Sequence, residues 1–113
     1  LLFSTPTGST AYSLSAGGPI LAPKMECILM TPVCPHSLFS RSVLFSGESE
    51  LSVHVKIPEE CCCVLTIDGE KNVPVLATDR VVIRKSDLKL KLALLHNRNF
   101  YKLLNEKLKE RDF

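Results

Sequence analysis

The apolar residues of this chain occur in short runs that end at turn-forming residues, and this pattern limits the fold more than any other feature. The clearest run is Glu50–Ile57, in which every second residue is apolar, as expected for a strand with one buried face. Asp68-Gly69 lies between two further apolar runs and is typical of a β-hairpin turn. Short runs at this spacing predict a mainly antiparallel β domain.

Seven or eight short strands follow from these runs. The predicted strands are Leu1–Ser4, Glu26–Thr31, Arg41–Phe45, Glu50–Ile57, Cys62–Ile67, Val73–Leu76, Arg80–Lys85 and Leu88–Leu94. We therefore expect a mainly β (α+β) fold with two packed β-sheets, in a single domain that spans residues 1–113.

Two helices complete the prediction. A short helix from Ala11 to about Ala16 is expected near the N-terminus, with Ser9 or Thr10 as its cap and Gly17-Gly18 at its end. The spacing of the apolar residues changes to a helical period over Phe100–Lys109. This change predicts a C-terminal helix, capped by Asn97 or Asn99.

Composition and charge exclude several classes of protein. The formal net charge is +2 and the basic residues are spread out until the last quarter, so no nucleic-acid partner is expected. No apolar run approaches the ~18 residues of a membrane span. Five cysteines, three of them consecutive, fit neither a disulfide framework nor a zinc motif. We expect them to be small buried hydrophobic residues in a reducing cytosol.

The run Ser4–Pro19 contains hydroxyls, small residues and glycines around a single large ring, Tyr12. It offers backbone N–H groups and hydroxyls to an anion or a sugar, but it lacks the lysine of a phosphate-binding P-loop. A ligand site and a capped turn remain equally open at this point. Asp68-Gly69 is first a turn, although a carboxylate at a turn tip also suits a ribose hydroxyl.

Three segments carry a resemblance to a known family. The run Ser4–Pro19 (STPTGSTAYSLSAGGP) closely resembles the signature of the NAD kinases, which phosphorylate the 2′-hydroxyl of the adenosine ribose of NAD to form NADP. Leu29–Leu38 (LMTPVCPHSL) is similar to the family's LTPICPHSL segment. Asp68-Gly69 and Arg80–Arg84 fall where the family has its DG hairpin and the following strand. The resemblance covers nearly the whole chain, in the family's order.

The resemblance implies the C-terminal, NAD-binding domain of such a kinase, built from two β-sheets. The residues implied to contact NAD are Thr10, Ala11, Tyr12 and Ser15, with Tyr12 stacked on a base, and further candidates are Asp68 and Gly69. Cys34 and His36 are implied to line the site of a neighbouring subunit. Glu70 departs from the glutamine or histidine of the family. The implied substrates are NAD and ATP or polyphosphate, with Mg²⁺, in a cytoplasmic homo-oligomer (dimer or tetramer).

The resemblance also implies that chemistry depends on groups outside this chain. The chain opens without Met on an apolar triplet, and we expect a fragment that lacks the N-terminal α/β domain with its GGDG loop and catalytic aspartate. No catalytic residue or metal ligand is therefore assigned, and the fragment alone is expected to be inactive. Two alternatives stay open: a related lipid kinase domain, and a non-catalytic β module for nucleotide binding or oligomerisation.

Overall fold

The computed structural model describes residues 1–38 and 40–110 and consists mainly of short antiparallel strands. In chain order the elements are β1 (Leu2–Ser4), a 3-10 helix (Thr7–Thr10), α1 (Tyr12–Ser15), β2 (Cys27–Thr31), β3 (Val43–Ser46), β4 (Leu51–Val53), β5 (Cys63–Ile67), β6 (Lys71–Val75), β7 (Val81–Ile83) and α2 (Phe100–Lys109). The mainly β fold with a short helix near the N-terminus and a C-terminal helix is confirmed. None of the described helices is long and apolar enough to cross a bilayer.

Hydrogen bonding groups the strands into three small sheets. The first has the order β1-β2-β3, and the other two are the pairs β4-β7 and β5-β6. All of these pairings are antiparallel. Two packed sheets were expected, and the described chain has three separate ones. The β4–β7 pair is short, with three residues in each strand, and no described strand joins it to the β5–β6 pair or to the first sheet.

The core lies around β2, the middle strand of the first sheet. Ile28 and Leu29 are consecutive residues that point to opposite faces, and both are buried. Leu21 is also buried, and Val75 is the buried residue of β6. A middle strand covered on both faces is a rigid base for the loop that follows β1.

The predicted strand Glu50–Ile57 is regular only over Leu51–Val53. Its partner is β7, and the register places Leu51 opposite Ile83 and Val53 opposite Val81. Continuing that register would pair residues 54–57 with residues 77–80. These lie in or next to a turn in which the Asp79 carboxylate accepts a hydrogen bond from the backbone N–H of Leu76 (2.8 Å). Because of this turn, residues 77–80 do not pair with residues 54–57, and the β4–β7 ladder ends at Val53.

The prediction of a strand over Leu88–Leu94 is wrong within the described chain. Alternation alone does not make a strand, because the backbone groups need a partner, and no described segment pairs with this one. Its leucines are exposed by between 75% and 89%. C-terminal to it, α2 begins after Asn99, whose side-chain oxygen accepts from the N–H groups of Tyr101 and Lys102. The predicted cap and helix are confirmed there.

One ion pair joins the first sheet to the segment after β7. The Lys85 ammonium donates to the Glu26 carboxylate just before β2. This hydrogen bond and the charge of Lys85 lower the pKa of Glu26, and Glu26 raises the pKa of Lys85 in return. Both side chains are largely exposed, so the pair contributes little to stability.

We expect Lys85→Met to lower stability slightly at neutral pH and by less in acid. Because the folded-state pKa of Glu26 is lowered, its contribution is present above the unfolded pKa and disappears as the pH falls through the folded pKa. Melting temperatures of the complete protein at about pH 7 and about pH 3 check this. Lys91→Met, in the neighbouring segment, is the control. An equal loss at both pH values would contradict the assignment.

Candidate functional site

The loop between β1 and α1 is held by hydroxyl groups that bond back to the chain. The Ser9 hydroxyl donates to the carbonyl oxygen of Pro6 (2.6 Å) and accepts from the N–H of Leu21 (3.1 Å). Thr10 donates in the same way to the carbonyl of Thr7 (3.3 Å). The prediction that Ser9 or Thr10 caps the helix is therefore wrong. Ala11 takes the cap position, with no side-chain hydrogen bond.

The end of α1 is closed by the two consecutive glycines, as predicted. The N–H of Gly17 donates to the carbonyl of Leu14 (3.0 Å) and the N–H of Gly18 to that of Ser13 (2.8 Å). This is the hydrogen-bond pattern of a Schellman motif. Gly17 has the left-handed φ of +88° that the motif requires. Gly18 is needed for space, since a Cβ there would lie 2.4 Å from the Ser13 hydroxyl oxygen.

Ser13 fastens α1 to the middle strand. Its hydroxyl is hydrogen-bonded to that of Thr31 at the end of β2 (2.8 Å), and both residues are buried. Ser42 donates to the same Thr31 oxygen (3.3 Å). Nothing in the sequence distinguished Ser9 and Ser13 as structural residues, because their neighbours in the run are equally small and polar. Some of the hydroxyl groups that were expected to face a ligand therefore hold the loop in place instead.

A cleft of about 670 Å³ lies between this loop and the β5–β6 hairpin. Its lining residues are Leu2, Phe3, Ser4, Thr5, Gly8, Ala11, Tyr12, Ser13, Thr66, Asp68 and Gly69. The cleft brings together four of the predicted site residues, Ala11, Tyr12, Asp68 and Gly69, from two parts of the chain. The Tyr12 side chain is 62% exposed, so much of its ring is open to a ligand.

The hairpin tip has the geometry that the Asp-Gly pair predicts. Asp68 and Gly69 have φ values of 52° and 74°, and the N–H of Glu70 donates to the carbonyl of Ile67 (3.1 Å). Positive φ at both central positions is what a type I′ turn requires. The turn fixes where Asp68 projects at the edge of the cleft.

The cleft combines an aromatic ring with polar groups. An accessible ring suits stacking with a planar base, and a carboxylate at the edge accepts hydrogen bonds from sugar hydroxyls. The Ser4 hydroxyl in the wall is buried and has no hydrogen-bond partner in residues 1–38 or 40–110. The arrangement is suited to a nucleotide.

Four other predicted site residues lie outside this cleft. Thr10 lines a separate groove beside α2, and Ser15 is exposed at the end of α1. Cys34 and His36 are exposed on the loop after β2, where Cys34 has a positive φ of 45°. Their contacts with a ligand remain predictions.

The cysteines are not buried, so that prediction is wrong. All five thiols are free; Cys34, Cys61 and Cys62 are exposed, and Cys27 and Cys63 are partly so. The Cys61 N–H donates to the Pro58 carbonyl (2.9 Å) and closes a turn. Because of this turn, β5 begins only at Cys63, and Cys61 and Cys62 lie outside the sheet. Among the described residues, no three His, Cys, Asp or Glu side chains are placed to hold a metal ion.

The chain is similar to known proteins of one family. The ATP-NAD kinase C-terminal domain family matches residues 1–95. An NAD kinase of Magnetococcus marinus is 44% identical over 108 residues, which are 96% of this chain and 35% of the relative. An NAD kinase of Carboxydothermus hydrogenoformans is 43% identical over 110 residues, 97% of this chain and 39% of the relative. The chain therefore spans little more than a third of the length of these relatives.

The fold is similar to that of a solved structure. Yeast NADH kinase, in a crystal structure described as complexed with NADH, superimposes with a TM-score of 0.72 at 29% sequence identity. The similarity covers 98% of this chain and 35% of that one. Fold and sequence comparisons therefore agree.

Proposed function

Because the chain belongs to the ATP-NAD kinase family, whose C-terminal domain it matches over residues 1–95, we propose that it is the dinucleotide-binding part of an NAD kinase. The complete enzyme phosphorylates the 2′-hydroxyl of the adenosine ribose of NAD to form NADP, with ATP or polyphosphate as phosphate donor. The observation that carries the proposal is the cleft in which the β1–α1 loop and the Asp68-Gly69 turn meet.

Tyr12 has the central role in binding. Its ring is exposed at the cleft, and stacking of a base on an aromatic side chain contributes about 1–3 kcal/mol. The neighbouring Ala11 leaves room beside the ring because its side chain is a single methyl group. The similar yeast enzyme is described as complexed with NADH, which supports a dinucleotide as the ligand of this chain.

Polar groups around the ring orient the sugar. The Asp68 carboxylate accepts hydrogen bonds from ribose hydroxyls, while the left-handed turn at Asp68-Gly69 brings the backbone close to the ligand. Thr10 and Ser15, on the same loop and helix, are proposed as further contacts of an extended dinucleotide. Cys34 and His36 lie on an exposed loop, and we propose that they contact the ligand of a neighbouring subunit in a cytoplasmic homo-oligomer.

Phosphoryl transfer needs positioning of both substrates, stabilisation of charge and a base near the acceptor hydroxyl. This chain contributes positioning of the acceptor. The described residues do not fit Mg²⁺, because no group of three suitable ligands is brought together among them, and no step through a metal is assigned to them. The donor and the metal that the family resemblance implies are proposed to be held by the rest of the protein.

The proposal is tested with the complete protein. We expect NADP to form from NAD and ATP, or from NAD and polyphosphate, in the presence of Mg²⁺, and no NADP without a phosphate donor. Diacylglycerol and sphingosine serve as competing acceptors, since a related lipid kinase is the alternative. Phosphorylation of a lipid with no turnover of NAD would overturn the proposal. Parallel assays with NAD and NADH determine which form is preferred.

A further inference from the structure

The β5–β6 hairpin carries a side-chain hydrogen bond beside the cleft. Thr66 and Asn72 lie directly opposite each other on the two strands, and the Thr66 hydroxyl donates to the side-chain oxygen of Asn72 (2.8 Å). Thr66 lines the cleft, whereas Asn72 lies outside the lining that the described chain forms. The family resemblance implied no role for either residue.

This hydrogen bond determines what Thr66 offers to a ligand. A threonine hydroxyl has one hydrogen to donate and two lone pairs that accept. Because the hydrogen is directed at Asn72, only lone pairs are left for a ligand, and Thr66 is an acceptor towards the cleft. The Thr66 side chain is exposed, so a ligand in the cleft can reach it.

The other polar groups of the cleft do not duplicate this role. The Thr5 hydroxyl oxygen already accepts from the N–H of Gly8 (3.0 Å), and the Ser13 hydroxyl is bonded within the protein. Asp68 is also an acceptor, but it lies at the turn, two residues away, or about 7 Å along an extended chain. In the described chain no Lys, Arg or His lines the cleft. The hairpin therefore presents two separate acceptors to the ligand, the Asp68 carboxylate and the Thr66 hydroxyl.

We propose that Thr66 accepts a hydrogen bond from an amino group on a base of the dinucleotide, and that Asn72 positions the Thr66 hydroxyl for this role. The inference rests on the proposed function, since it concerns the ligand of the same cleft. With Asp68 on a ribose and a base stacked on Tyr12, Thr66 is the further acceptor of the cleft that a base edge can reach. NAD carries two primary amino groups, one on adenine and one in the carboxamide of nicotinamide, and both donate. A carbonyl or carboxylate oxygen in place of that group would oppose two acceptors, so the cleft selects against it.

The test measures kcat/KM of the complete protein with three dinucleotides: NAD, the analogue with hypoxanthine in place of adenine, and the analogue with nicotinic acid in place of nicotinamide. Thr66→Val keeps the shape of the side chain but has no hydroxyl. It is expected to lower kcat/KM for NAD about 3- to 10-fold, mainly through KM, because one hydrogen bond is lost. The analogue that lacks the recognised amino group is expected not to respond, whereas the other analogue responds as NAD does. The two analogues thus identify which amino group Thr66 binds.

Variants of Asn72 test its positioning role. Asn72→Leu removes the acceptor and lets the Thr66 hydrogen turn towards the cleft, so the unresponsive analogue is expected to gain about threefold or more relative to NAD. In Asn72→Asp both side-chain oxygens accept, so Thr66 still donates to residue 72 and the preference for NAD is expected to stay. Thr66→Ser retains the hydroxyl and is also expected to keep the preference. A ratio of two substrates on one variant does not depend on how much of that variant folds.

Thr78→Val, at an exposed threonine in the turn after β6, is the control for loss of a hydroxyl, and its substrate preference is expected to equal that of the unaltered protein. If the unaltered protein forms no NADP, the proposed function fails and this inference fails with it. If NADP forms but Thr66→Val changes kcat/KM equally for all three dinucleotides, or for none, only the role of Thr66 is overturned. An unchanged preference in Asn72→Leu would overturn the positioning role of Asn72.

Discussion

Gly18→Ala is expected to destabilise the complete protein by about 3 kcal/mol, which lowers the melting temperature by roughly 6–12 °C at the shift of about 2–4 °C per kcal/mol that applies to chains longer than about 150 residues. The new Cβ would lie 2.4 Å from the Ser13 hydroxyl oxygen, 2.8 Å from the Ser13 carbonyl oxygen and 2.9 Å from the Thr31 hydroxyl oxygen. The carbonyl belongs to the backbone of α1 and is held by the bond from the Gly18 N–H. It cannot move aside without opening the end of the helix.

Gly8→Ala is the matched control, because Gly8 lies just before α1 as Gly18 lies just after it, and its Cβ would meet only side-chain atoms, at 3.3 and 3.5 Å. A shift below about 1 kcal/mol is expected for it. Ser13→Ala combined with Gly18→Ala removes the closest contact but leaves the carbonyl and Thr31 and also loses the buried Ser13–Thr31 hydrogen bond, so we expect the double variant to stay well below the stability of the unaltered protein. Thermal unfolding of the three variants measures this. Equal melting temperatures for the Gly8 and Gly18 variants would show that the helix end is not closely packed.

The prediction at Gly18 depends on information that the sequence did not contain. Two glycines after a short apolar and polar run indicate a helix end, and that expectation was confirmed. Sequence did not separate their roles: Gly17 provides a left-handed φ, whereas Gly18 provides room for Ser13 and Thr31. The second role depends on a contact between residues 18 positions apart in the chain. Local patterns cannot reveal such contacts.

Strands were predictable where both partners were local. The β5–β6 hairpin followed from the Asp68-Gly69 turn, and its strands begin and end within about two residues of the expected bounds. The alternating segments Glu50–Ile57 and Leu88–Leu94 were harder to predict. Alternation shows which face of a segment is apolar, but it does not show whether a partner strand exists. In the first, the partner turns away after three residues. In the second, no described strand lies beside it.

The candidate site was predictable only in part for a related reason. The family resemblance identified Tyr12, Ala11 and the Asp68-Gly69 turn, which the fold brings to one cleft. Within the same run Ser9 and Ser13 are buried, and Thr10 faces another groove. From residue type alone, these small polar residues were equally good candidates for contact with a ligand. Burial distinguishes them, since a hydroxyl that is bonded to the protein's own backbone or to Thr31 is not free for a ligand.

Tyr12→Ala in the complete protein is expected to raise the KM for NAD by about 5- to 150-fold, the equivalent of losing about 1–3 kcal/mol of base stacking. In the proposed binding mode the ring stacks on the base and does not touch the reacting hydroxyl, so it would bind substrate and transition state equally, and kcat is expected to change little. The KM for ATP is expected to stay the same. Tyr12→Phe retains the ring face and is expected to keep the KM for NAD near its original value.

Tyr101→Ala is the matched control for this experiment. Tyr101 is 64% exposed, close to the 62% of Tyr12, but it lies on α2, where its ring packs edge-on against Phe100 (5.2 Å between ring centres). Its loss removes an exposed tyrosine without touching the cleft, so the KM for NAD is expected to remain unchanged. Initial rates at varied NAD concentration separate KM from kcat in each variant. If Tyr12→Ala behaves like Tyr101→Ala, the base does not stack on Tyr12, and the cleft binds its ligand through polar contacts alone.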